Sequence, residues 1–276
     1  MLTPSLPVLR ILPLESIILH EDHDNQRSLP LVEKLRAQGI LRNPPIVMPL
    51  QDGTNRNMVL DGANRVTSLK EMCFPHLVTQ VVSPQDPHVS LMTWNHIVWG
   101  IKSKSLLGTI RRVKGLEVTR VDTQKSMRAP SSLPVQIRTV DGELFLVQIP
   151  NDLENLVPSL HEVVNSYKDN GSFDRTSQTL IDTFRTTYPD LCALVIFPRF
   201  EIQSLLETVG KGWVIPTGIT RFTVSPRVLH LNYPLHELSS GKSLEYKEEY
   251  LQRWIQERVK KRGVRYYAEA TFLFDE

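Results

Sequence analysis

Residues 59–72 read Val-Leu-Asp-Gly-Ala-Asn-Arg-Val-Thr-Ser-Leu-Lys-Glu-Met, a pattern that predicts a short strand, a tight glycine turn and a helix. Gly62 lets the backbone turn with a positive φ or approach a ligand closely. The N–H groups at the start of the following helix lack intrahelical partners and carry partial positive charge. Arg65 adds a planar guanidinium group suited to phosphate oxygens. The stretch therefore predicts an anion-binding turn, with Asp61 at the strand end placed to hold a metal ion or a hydroxyl group.

The same residues also fit a purely structural interpretation. A strand, a turn and a helix can be joined in this way with Asp61 and Arg65 forming an ion pair and with no ligand bound. Because short motifs often match by chance, this stretch alone leaves both interpretations open.

The sequence before and after this turn predicts a small α/β domain. A helix is expected from about Pro30, with Ser28 as its N-cap and Gly39 at its end. Strands are expected at residues 46–48, 58–61 and 77–82. Short strands alternating with helices indicate a small sheet that is covered by helices.

This order of elements resembles the N-terminal domain of the ParB/sulfiredoxin-like superfamily. The resemblance rests on His20-Glu21 before the first helix, on Pro-Pro-Ile-Val at residues 44–47, and on residues 59–62 followed by Arg65. Sulfiredoxin chemistry is not expected, because the turn lacks the cysteine that this chemistry requires.

Within that superfamily the pattern is most similar to the free L-serine kinases. Ala63 and Asn64 stand where those enzymes carry histidines. A second block at residues 215–235 resembles the family segments Pro-x-Gly-Ile-Thr-Arg-His and Arg-x-Leu-x-x-Asn-x-Pro-Leu, with Phe222 in place of the histidine. Trp94 follows the last strand of the first block, where these kinases also tend to place a tryptophan.

The resemblance implies an α/β (α+β) fold with two parts. Residues 1–88 are expected to form the small mixed-sheet, nucleotide-binding domain of the ParB/sulfiredoxin-like type. Residues 89–276 are expected to form a second mixed α/β domain. The substrate cleft is expected between the two, where ligand pockets commonly occur.

The implied activity is transfer of a phosphoryl group from ATP or ADP to the hydroxyl of free L-serine or a similar metabolite, with Mg²⁺ as cofactor. Such a reaction needs phosphates held, charge neutralised and a hydroxyl positioned. The expected catalytic carboxylates are Glu21, which would accept or orient the hydroxyl proton, and Asp61, which would act through Mg²⁺. The expected nucleotide- and phosphate-binding residues are Gly62, Ala63, Asn64 and Arg65. The expected substrate-binding residues are Trp94, Thr220 and Arg221.

A second class of function remains open. The same superfamily contains DNA-binding regulators that use a nucleotide as a switch, and a relative without catalytic activity would keep the nucleotide-binding turn. Ala63, Asn64 and Phe222 favour this non-catalytic alternative.

The composition and the net charge limit the classes of partner that this chain is expected to bind. The net charge of +2 is too small to indicate a nucleic-acid-binding surface, so sequence-specific DNA binding is not expected. No apolar run reaches the ~20 residues of a membrane helix, and the N-terminus lacks the charged start and apolar core of a signal peptide. Two cysteines without a CxxC motif indicate reduced thiols that are buried. We therefore expect a cytoplasmic protein whose ligands are a nucleotide and a small-molecule substrate.

The rest of the chain predicts ordinary elements. A β-hairpin is expected at residues 134–138 and 143–149, helices at 157–167, 176–188 and 242–262, and strands at 193–197 and 265–274. The run His20-Glu21-Asp22-His23-Asp24 contains metal-binding residue types. Because side chains so close in one turn cannot easily all reach one ion, no zinc site is predicted there.

Overall fold

The computed structural model describes residues 6–22, 25–121, 134–150 and 152–267; for residues 25–28 and 153 it describes the backbone alone. Its architecture is mixed α/β, with two larger sheets and two short ribbons, which confirms the predicted fold class. Two 3-10 helices, Leu14–Ser16 and Ile181–Phe184, supplement the longer elements.

The strands are β1 (Leu9–Pro13), β2 (Ile17–Ile18), β3 (Ile40–Leu41), β4 (Ile46–Pro49), β5 (Asn57–Asp61), β6 (His76–Val81), β7 (Val89–Thr93), β8 (Asn95–Trp99), β9 (Glu117–Val121), β10 (Val135–Thr139), β11 (Leu144–Gln148), β12 (Ser172–Thr176), β13 (Leu191–Ile196), β14 (Thr220–Val224) and β15 (Tyr233–Pro234). The helices are α1 (Asn25–Gln38), α2 (Ala63–Glu71), α3 (Ser103–Ile110), α4 (Leu153–Lys168), α5 (Ile202–Gly210), α6 (Leu235–Ser239) and α7 (Leu244–Lys260).

The first sheet is mixed and has the order β1-β6-β4-β5-β2. β4 runs antiparallel to β5 and parallel to β6. Strand β5 is buried along four residues because neighbouring strands flank it and helix α2 packs on the same core; only Asp61 at its end is partly exposed. This burial pattern places the Gly62 turn at the edge of the sheet, where a ligand can reach it.

The second sheet is antiparallel and has the order β12-β8-β13-β10-β11-β9. Helices α3 and α4 contribute apolar residues to its core, including Leu106, Leu160 and the fully buried Tyr167. The predicted hairpin is present as β10 and β11, which pair antiparallel.

Two short ribbons lie against the first sheet. In one of them β14 pairs antiparallel with β7, and this pairing places residues 215–224 beside the first sheet. Strand β15 pairs with β3, and Leu235, Leu238 and Leu251 pack in the core of the first sheet. The predicted division into residues 1–88 and 89–276 stays a prediction; from this packing we propose that residues 231–260 belong with the first unit.

Two local expectations were wrong. The segment at 176–188, expected to be helical, starts with Thr176 at the end of β12 and then forms only the short 3-10 helix, whose Ile181 and Phe184 pack with apolar residues of β8 and β13. Cys73 is exposed, whereas Cys192 is buried, and both are free. Of the strand expected at 265–274, residues 265–267 show no regular structure, and the remainder lies outside the described residues. Among the described helices, none is both long and apolar enough to cross a membrane.

Candidate active site

A cavity of about 790 Å³ opens between the Gly62 turn and strand β14. All nine residues predicted for the site line it: Glu21, Asp61, Gly62, Ala63, Asn64, Arg65, Trp94, Thr220 and Arg221. These residues come from four separate parts of the chain, so the fold assembles what the sequence leaves scattered.

The turn at Gly62 has the geometry that favours glycine. Its φ is 95°, and it is the N-cap of helix α2 without any side chain capping the first turn. A Cβ atom at this position would lie 2.9 Å from Nη2 of Arg65 and 3.0 Å from Cβ of Pro45. The backbone N–H groups of Ala63 and Asn64, at the start of the helix, are thus left for an anion in the cavity.

Asp61 lies at the centre of a pair of arginines. Its Oδ2 accepts hydrogen bonds from Nη2 of Arg65 at 2.8 Å and from Nη2 of Arg227 at 2.5 Å. Oδ1 accepts none from the described residues, so one carboxylate oxygen remains for a further ligand. The predicted ion pair between Asp61 and Arg65 is therefore present, and the guanidinium group of Arg227 contacts the same carboxylate.

The side chain of Arg65 connects the Gly62 turn to the segment at residues 43–44. Nη1 donates to the carbonyl oxygens of Asn43 at 2.6 Å and Pro44 at 3.3 Å, while Nη2 holds Asp61. The side chain is only 21% exposed. Its two Nη groups are thus already bonded to protein, and Arg65 fixes the shape of the Gly62 turn and adds positive charge to it.

We expect Arg65→Ala to lower the free energy of unfolding by about 1–3 kcal/mol and to weaken nucleotide binding, because buried carbonyl groups and Asp61 lose their donor. Arg227→Ala is the matched control for stability alone, since Arg227 contacts the same Asp61 oxygen but is 42% exposed, and its free energy of unfolding should stay close to wild type. Thermal or urea unfolding and calorimetric titration measure both effects. Equal stability and equal nucleotide affinity for Arg65→Ala and wild type would refute this role.

Glu21 is held by the loop that precedes β14. The backbone of Glu21 forms a parallel β-bridge with the backbone of Ile215. Oε2 accepts the N–H of Gly218 at 2.8 Å, and Oε1 accepts the N–H groups of Ile219 at 3.1 Å and Thr220 at 2.6 Å. The Thr220 hydroxyl also contacts Oε1 at 2.5 Å. The carboxylate thus organises this loop, and its Oε2, which accepts from Gly218 alone among the described residues, remains available to the cavity.

The buried His20 connects β5 to β14. Nδ1 lies 2.5 Å from the carbonyl oxygen of Val59, and Nε2 lies 2.6 Å from Oγ1 of Thr220. Phe222 packs edge-on against the imidazole at 5.6 Å. Burial lowers the pKa of His20, against the opposing effects of Glu21 and the Val59 carbonyl. The imidazole is therefore neutral at pH 7.

Trp94 and Arg221 form one wall of the cavity. The guanidinium carbon of Arg221 lies 4.4 Å from the centre of a Trp94 ring, a cation–π contact. The backbone N–H of Trp94 donates to the carbonyl oxygen of Ile219 at 2.7 Å, which fixes the tryptophan backbone against the same loop that holds Glu21. The stacked guanidinium keeps its edge N–H groups for an anionic ligand.

His96 supports that loop from the opposite side. Its Nε2 lies 2.8 Å from the carbonyl oxygen of Gly218, and its Nδ1 lies 2.6 Å from the hydroxyl of Tyr167. Burial lowers the pKa of His96 to about 4, so the neutral ring donates to Gly218 and accepts from Tyr167.

The charges of the cavity favour a polyanion. Of the described residues, four arginines line it: Arg65, Arg175, Arg221 and Arg227. Three carboxylates from the same described ranges oppose them: Glu21, Asp22 and Asp61. Since Glu21 and one oxygen of Asp61 are satisfied by protein donors, the remaining positive charge and the α2 N-terminus suit phosphate groups.

Among the described residues, no group of three or more His, Cys, Asp and Glu side chains is arranged to hold a metal ion. His23 and Asp24, from the acidic and histidine-rich run, lie outside the described residues.

No protein-family model matches the chain. The ATP-dependent L-serine kinase SbnI of Staphylococcus aureus is 28% identical over 274 residues, which cover 97% of both chains. The solved structure of SbnI with a C-terminal truncation, also from Staphylococcus aureus, has a TM-score of 0.70 and 26% identity, over 92% of this chain and 96% of that one. This chain is similar to an L-serine kinase along almost its whole length. The resemblance to serine kinases predicted from the motifs is thereby confirmed.

A more distant structure shares the same fold. A free serine kinase variant in complex with AMP has a TM-score of 0.69 at 15% identity, over 85% of this chain and 95% of that one. At this identity the serine-kinase likeness concerns the fold alone.

Arg227 and Arg175 were not predicted as site residues. Arg227 lies in the block that resembles the serine kinases, but its contact with Asp61 spans 166 residues and has no local signal. Arg175 lies on the edge strand β12, for which no strand was predicted, and donates to the Thr217 hydroxyl at 3.0 Å.

Proposed function

We propose that this protein is a small-molecule kinase that transfers a phosphoryl group from ATP or ADP to the hydroxyl of free L-serine or a similar metabolite. The observation that carries the proposal is that Glu21 and the start of helix α2 line one cavity. The full-length similarity to an ATP-dependent L-serine kinase supports it. A carboxylate facing a phosphate-binding turn supplies the two parts that phosphoryl transfer requires.

The donor phosphates would rest on the Gly62 turn. The N–H groups of Ala63 and Asn64 lie at the positive end of the α2 dipole, and Arg227 lies beside them at the cavity edge. We infer that Arg227 shares this role with Arg65, because only Arg227 is largely exposed.

Asp61 fits a magnesium site shared with the nucleotide. Mg²⁺ usually reaches protein through one or two carboxylates and completes its shell with phosphate oxygens and water. Oδ1 of Asp61 has no protein donor among the described residues, so it is the oxygen that would hold the ion. Bound there, the ion would neutralise charge on the transferred phosphoryl group.

Glu21 would act on the acceptor. Oε1 is occupied by Ile219 and Thr220, so Oε2 is the oxygen that takes the hydroxyl proton. Three backbone donors fix this carboxylate, which reduces the reorganisation needed when the hydroxyl is brought into line. As the proton leaves, the acceptor oxygen attacks the terminal phosphorus.

Arg221 and Trp94 would hold the rest of the acceptor. A guanidinium group binds a carboxylate with two parallel hydrogen bonds, and stacking on Trp94 fixes its plane. The acceptor carboxylate of an amino acid suits this position, whereas a neutral alcohol does not.

We expect Arg221→Ala to raise the KM for L-serine by about 10- to 100-fold, because it removes a charged pair, while nucleotide affinity changes little. Arg221→Lys is the matched variant, since it keeps the charge and loses the planar fork, and should fall between wild type and alanine. Initial rates at varied serine give KM. If Arg221→Ala changes only the nucleotide affinity, Arg221 binds the phosphoryl donor and not the acceptor.

The donor and acceptor are decided by one experiment. Purified protein is incubated with Mg²⁺, either ATP or ADP, and one of several hydroxyl or non-hydroxyl amino acids, and the products are measured by mass spectrometry. We expect a phosphorylated product with L-serine and none with alanine. Nucleotide binding without any phosphorylated product would support the non-catalytic alternative.

For the regulatory alternative, we expect DNA binding to be weak and independent of sequence. The net charge is only +2, and within the described residues α5 is followed by turns and a single bridge residue up to β14 rather than by a recognition helix. Fluorescence anisotropy with labelled duplexes at physiological salt measures this. A nanomolar, sequence-specific complex would overturn the expectation and favour a regulator.

A further inference from the structure

Three groups form a continuous chain behind the proposed base. The carbonyl oxygen of Val59 lies 2.5 Å from Nδ1 of His20. Nε2 of His20 lies 2.6 Å from Oγ1 of Thr220, which lies 2.5 Å from Oε1 of Glu21. Two side chains with exchangeable protons thus connect the sheet to the carboxylate that faces the cavity.

The protons available to this chain do not fill all three contacts. A carbonyl oxygen only accepts, so Nδ1 of His20 must carry a proton toward Val59. In a neutral imidazole Nε2 is then an acceptor. Thr220 has a single hydroxyl proton, and it can be given to Nε2 or to Oε1 of Glu21 but not to both. One contact of Oγ1 is therefore without a proton in whichever direction the hydroxyl points.

We propose that His20 is a positioning residue for Glu21, acting through a Thr220 hydroxyl that turns between the carboxylate and the imidazole. The inference rests on the proposed function of Glu21 as the base. When Glu21 is ionised, the hydroxyl donates to Oε1, because a charged acceptor makes the stronger bond. When Glu21 has taken a proton, Oε1 is a weaker acceptor, and the hydroxyl turns to Nε2 of His20.

The consequence is a lower cost for proton uptake. In the ionised state the lone pair of Nε2 faces a hydroxyl oxygen that offers it no proton. In the protonated state the hydroxyl donates to Nε2 instead of Oε1, so the number of hydrogen bonds is unchanged and the hydroxyl proton keeps a good acceptor as Glu21 loses its charge. Without His20 that proton would stay on the weaker acceptor, so the imidazole lowers the free-energy cost of protonating Glu21 and favours the transition state over the ground state.

The step balances without a further reactant. The O–H bond of the acceptor breaks, and an O–H bond forms on Oε2 of Glu21. The acceptor oxygen bonds to the terminal phosphorus, and the bond from that phosphorus to the departing nucleotide breaks. The Thr220 proton stays on Oγ1 throughout. After release of product, Glu21 returns its proton to water and the hydroxyl turns back.

The surroundings of His20 keep it neutral for this role. Burial lowers the pKa of its imidazole. Strand β5 presents the uncharged Val59 carbonyl, and strand β14 presents Thr220 and the ring of Phe222. Within the described part of the chain, Glu21 is the charged neighbour that acts on the imidazole.

The first test compares two substitutions of Thr220. Thr220→Val keeps the shape and removes the hydroxyl, and we expect kcat to fall by about 10- to 100-fold, as for loss of one hydrogen bond to a charged group. Thr220→Ser keeps the hydroxyl and should restore kcat to within about threefold of wild type. Nucleotide affinity, measured by calorimetry, should match wild type in both. A Thr220→Val enzyme with wild-type kcat, or a Thr220→Ser enzyme as slow as Thr220→Val, would overturn the proposal.

The second test places His20 in the same chain. His20→Gln offers an acceptor to Thr220, whereas His20→Leu does not, so the glutamine variant should be the faster of the two. Adding His20→Leu to Thr220→Val should slow the reaction no further, because the link is already cut. Fully additive losses would show that the two residues act separately.

These results separate two kinds of failure. If Glu21→Gln transfers phosphate at the wild-type rate, the proposed role of Glu21 as the base fails. If Glu21→Gln is inactive while Thr220→Val and His20→Leu keep the wild-type kcat, only the link through Thr220 fails.

Discussion

Glu21→Gln should slow phosphoryl transfer by about 10²- to 10⁴-fold while nucleotide affinity stays close to wild type, because an amide cannot take the hydroxyl proton. The donor phosphates would rest on the Gly62 turn, across the cavity from Glu21, so the loss belongs to kcat. Steady-state kinetics with L-serine and calorimetry with the nucleotide separate the two effects. An unaltered rate would make Glu21 a bystander.

The same substitution also disturbs the loop that Glu21 organises. The carboxylate accepts the N–H groups of Gly218, Ile219 and Thr220, and an amide NH₂ placed at either oxygen position faces a donor instead of accepting it. Glu21→Ala tested with added formate is therefore the control. A free carboxylate should restore part of the rate if a base is missing. A loss of thermal stability without rescue would assign Glu21 a structural role alone.

Gly62→Ala should weaken nucleotide binding by about 10- to 100-fold, since a left-handed backbone costs a residue with a Cβ about 1–2 kcal/mol and the added atom also crowds its neighbours. The new Cβ would lie 2.9 Å from Nη2 of Arg65 and 3.0 Å from Cβ of Pro45. Relief of this crowding moves Arg65 or the start of α2, which are the parts that would hold phosphate. Calorimetric titration with ATP and ADP measures the change.

Gly53→Ala is the matched control for the backbone. Gly53 has a φ of 78°, and a Cβ there would meet nothing within 4 Å. The Gly53→Ala variant should lose stability to a similar extent as Gly62→Ala, because both glycines have a positive φ. Because Gly53 lies outside the cavity, the variant should keep the nucleotide affinity of the wild type. Equal losses of affinity in the two variants would mean that the Gly62 turn has no special part in binding.

Local patterns predicted strands β4, β5 and β6 of the first sheet and the turn after β5, but not strands β1 and β2. Within residues 59–72, a glycine between an apolar run and a helical pattern predicts a strand, a turn and a helix, and α2 is found at Ala63–Glu71. Gly39, expected at the end of the first helix, follows Gln38 with a φ of 65°. The expected start near Pro30 was late, because the helix begins at Asn25 and contains Pro30.

Tertiary pairing explains where prediction failed. Ile181, Phe184 and Tyr188 have a spacing that fits a helix, yet they pack with residues of β8 and β13 from a short 3-10 helix and the residues after it, and Thr176 belongs to the edge strand of the second sheet. Pairing with a distant strand is not visible in local periodicity, so the helical interpretation had no signal against it.

The detailed chemistry of the site depended on contacts that the sequence does not encode locally. Glu21 lies 197–199 positions before the backbone donors that fix it. The stacking of Arg221 on Trp94 likewise joins strands that are far apart in the chain. The resemblance to serine kinases named these residues, but only the fold shows that Thr220 is bonded to both His20 and Glu21.

The central claim is tested most directly by ³¹P NMR of the purified protein with Mg²⁺, L-serine and either ATP or ADP. The account predicts that a phosphomonoester resonance of phosphoserine grows while the donor's terminal phosphate resonance declines by the same amount. Release of inorganic phosphate alone, or an unchanged spectrum with both donors, would contradict it.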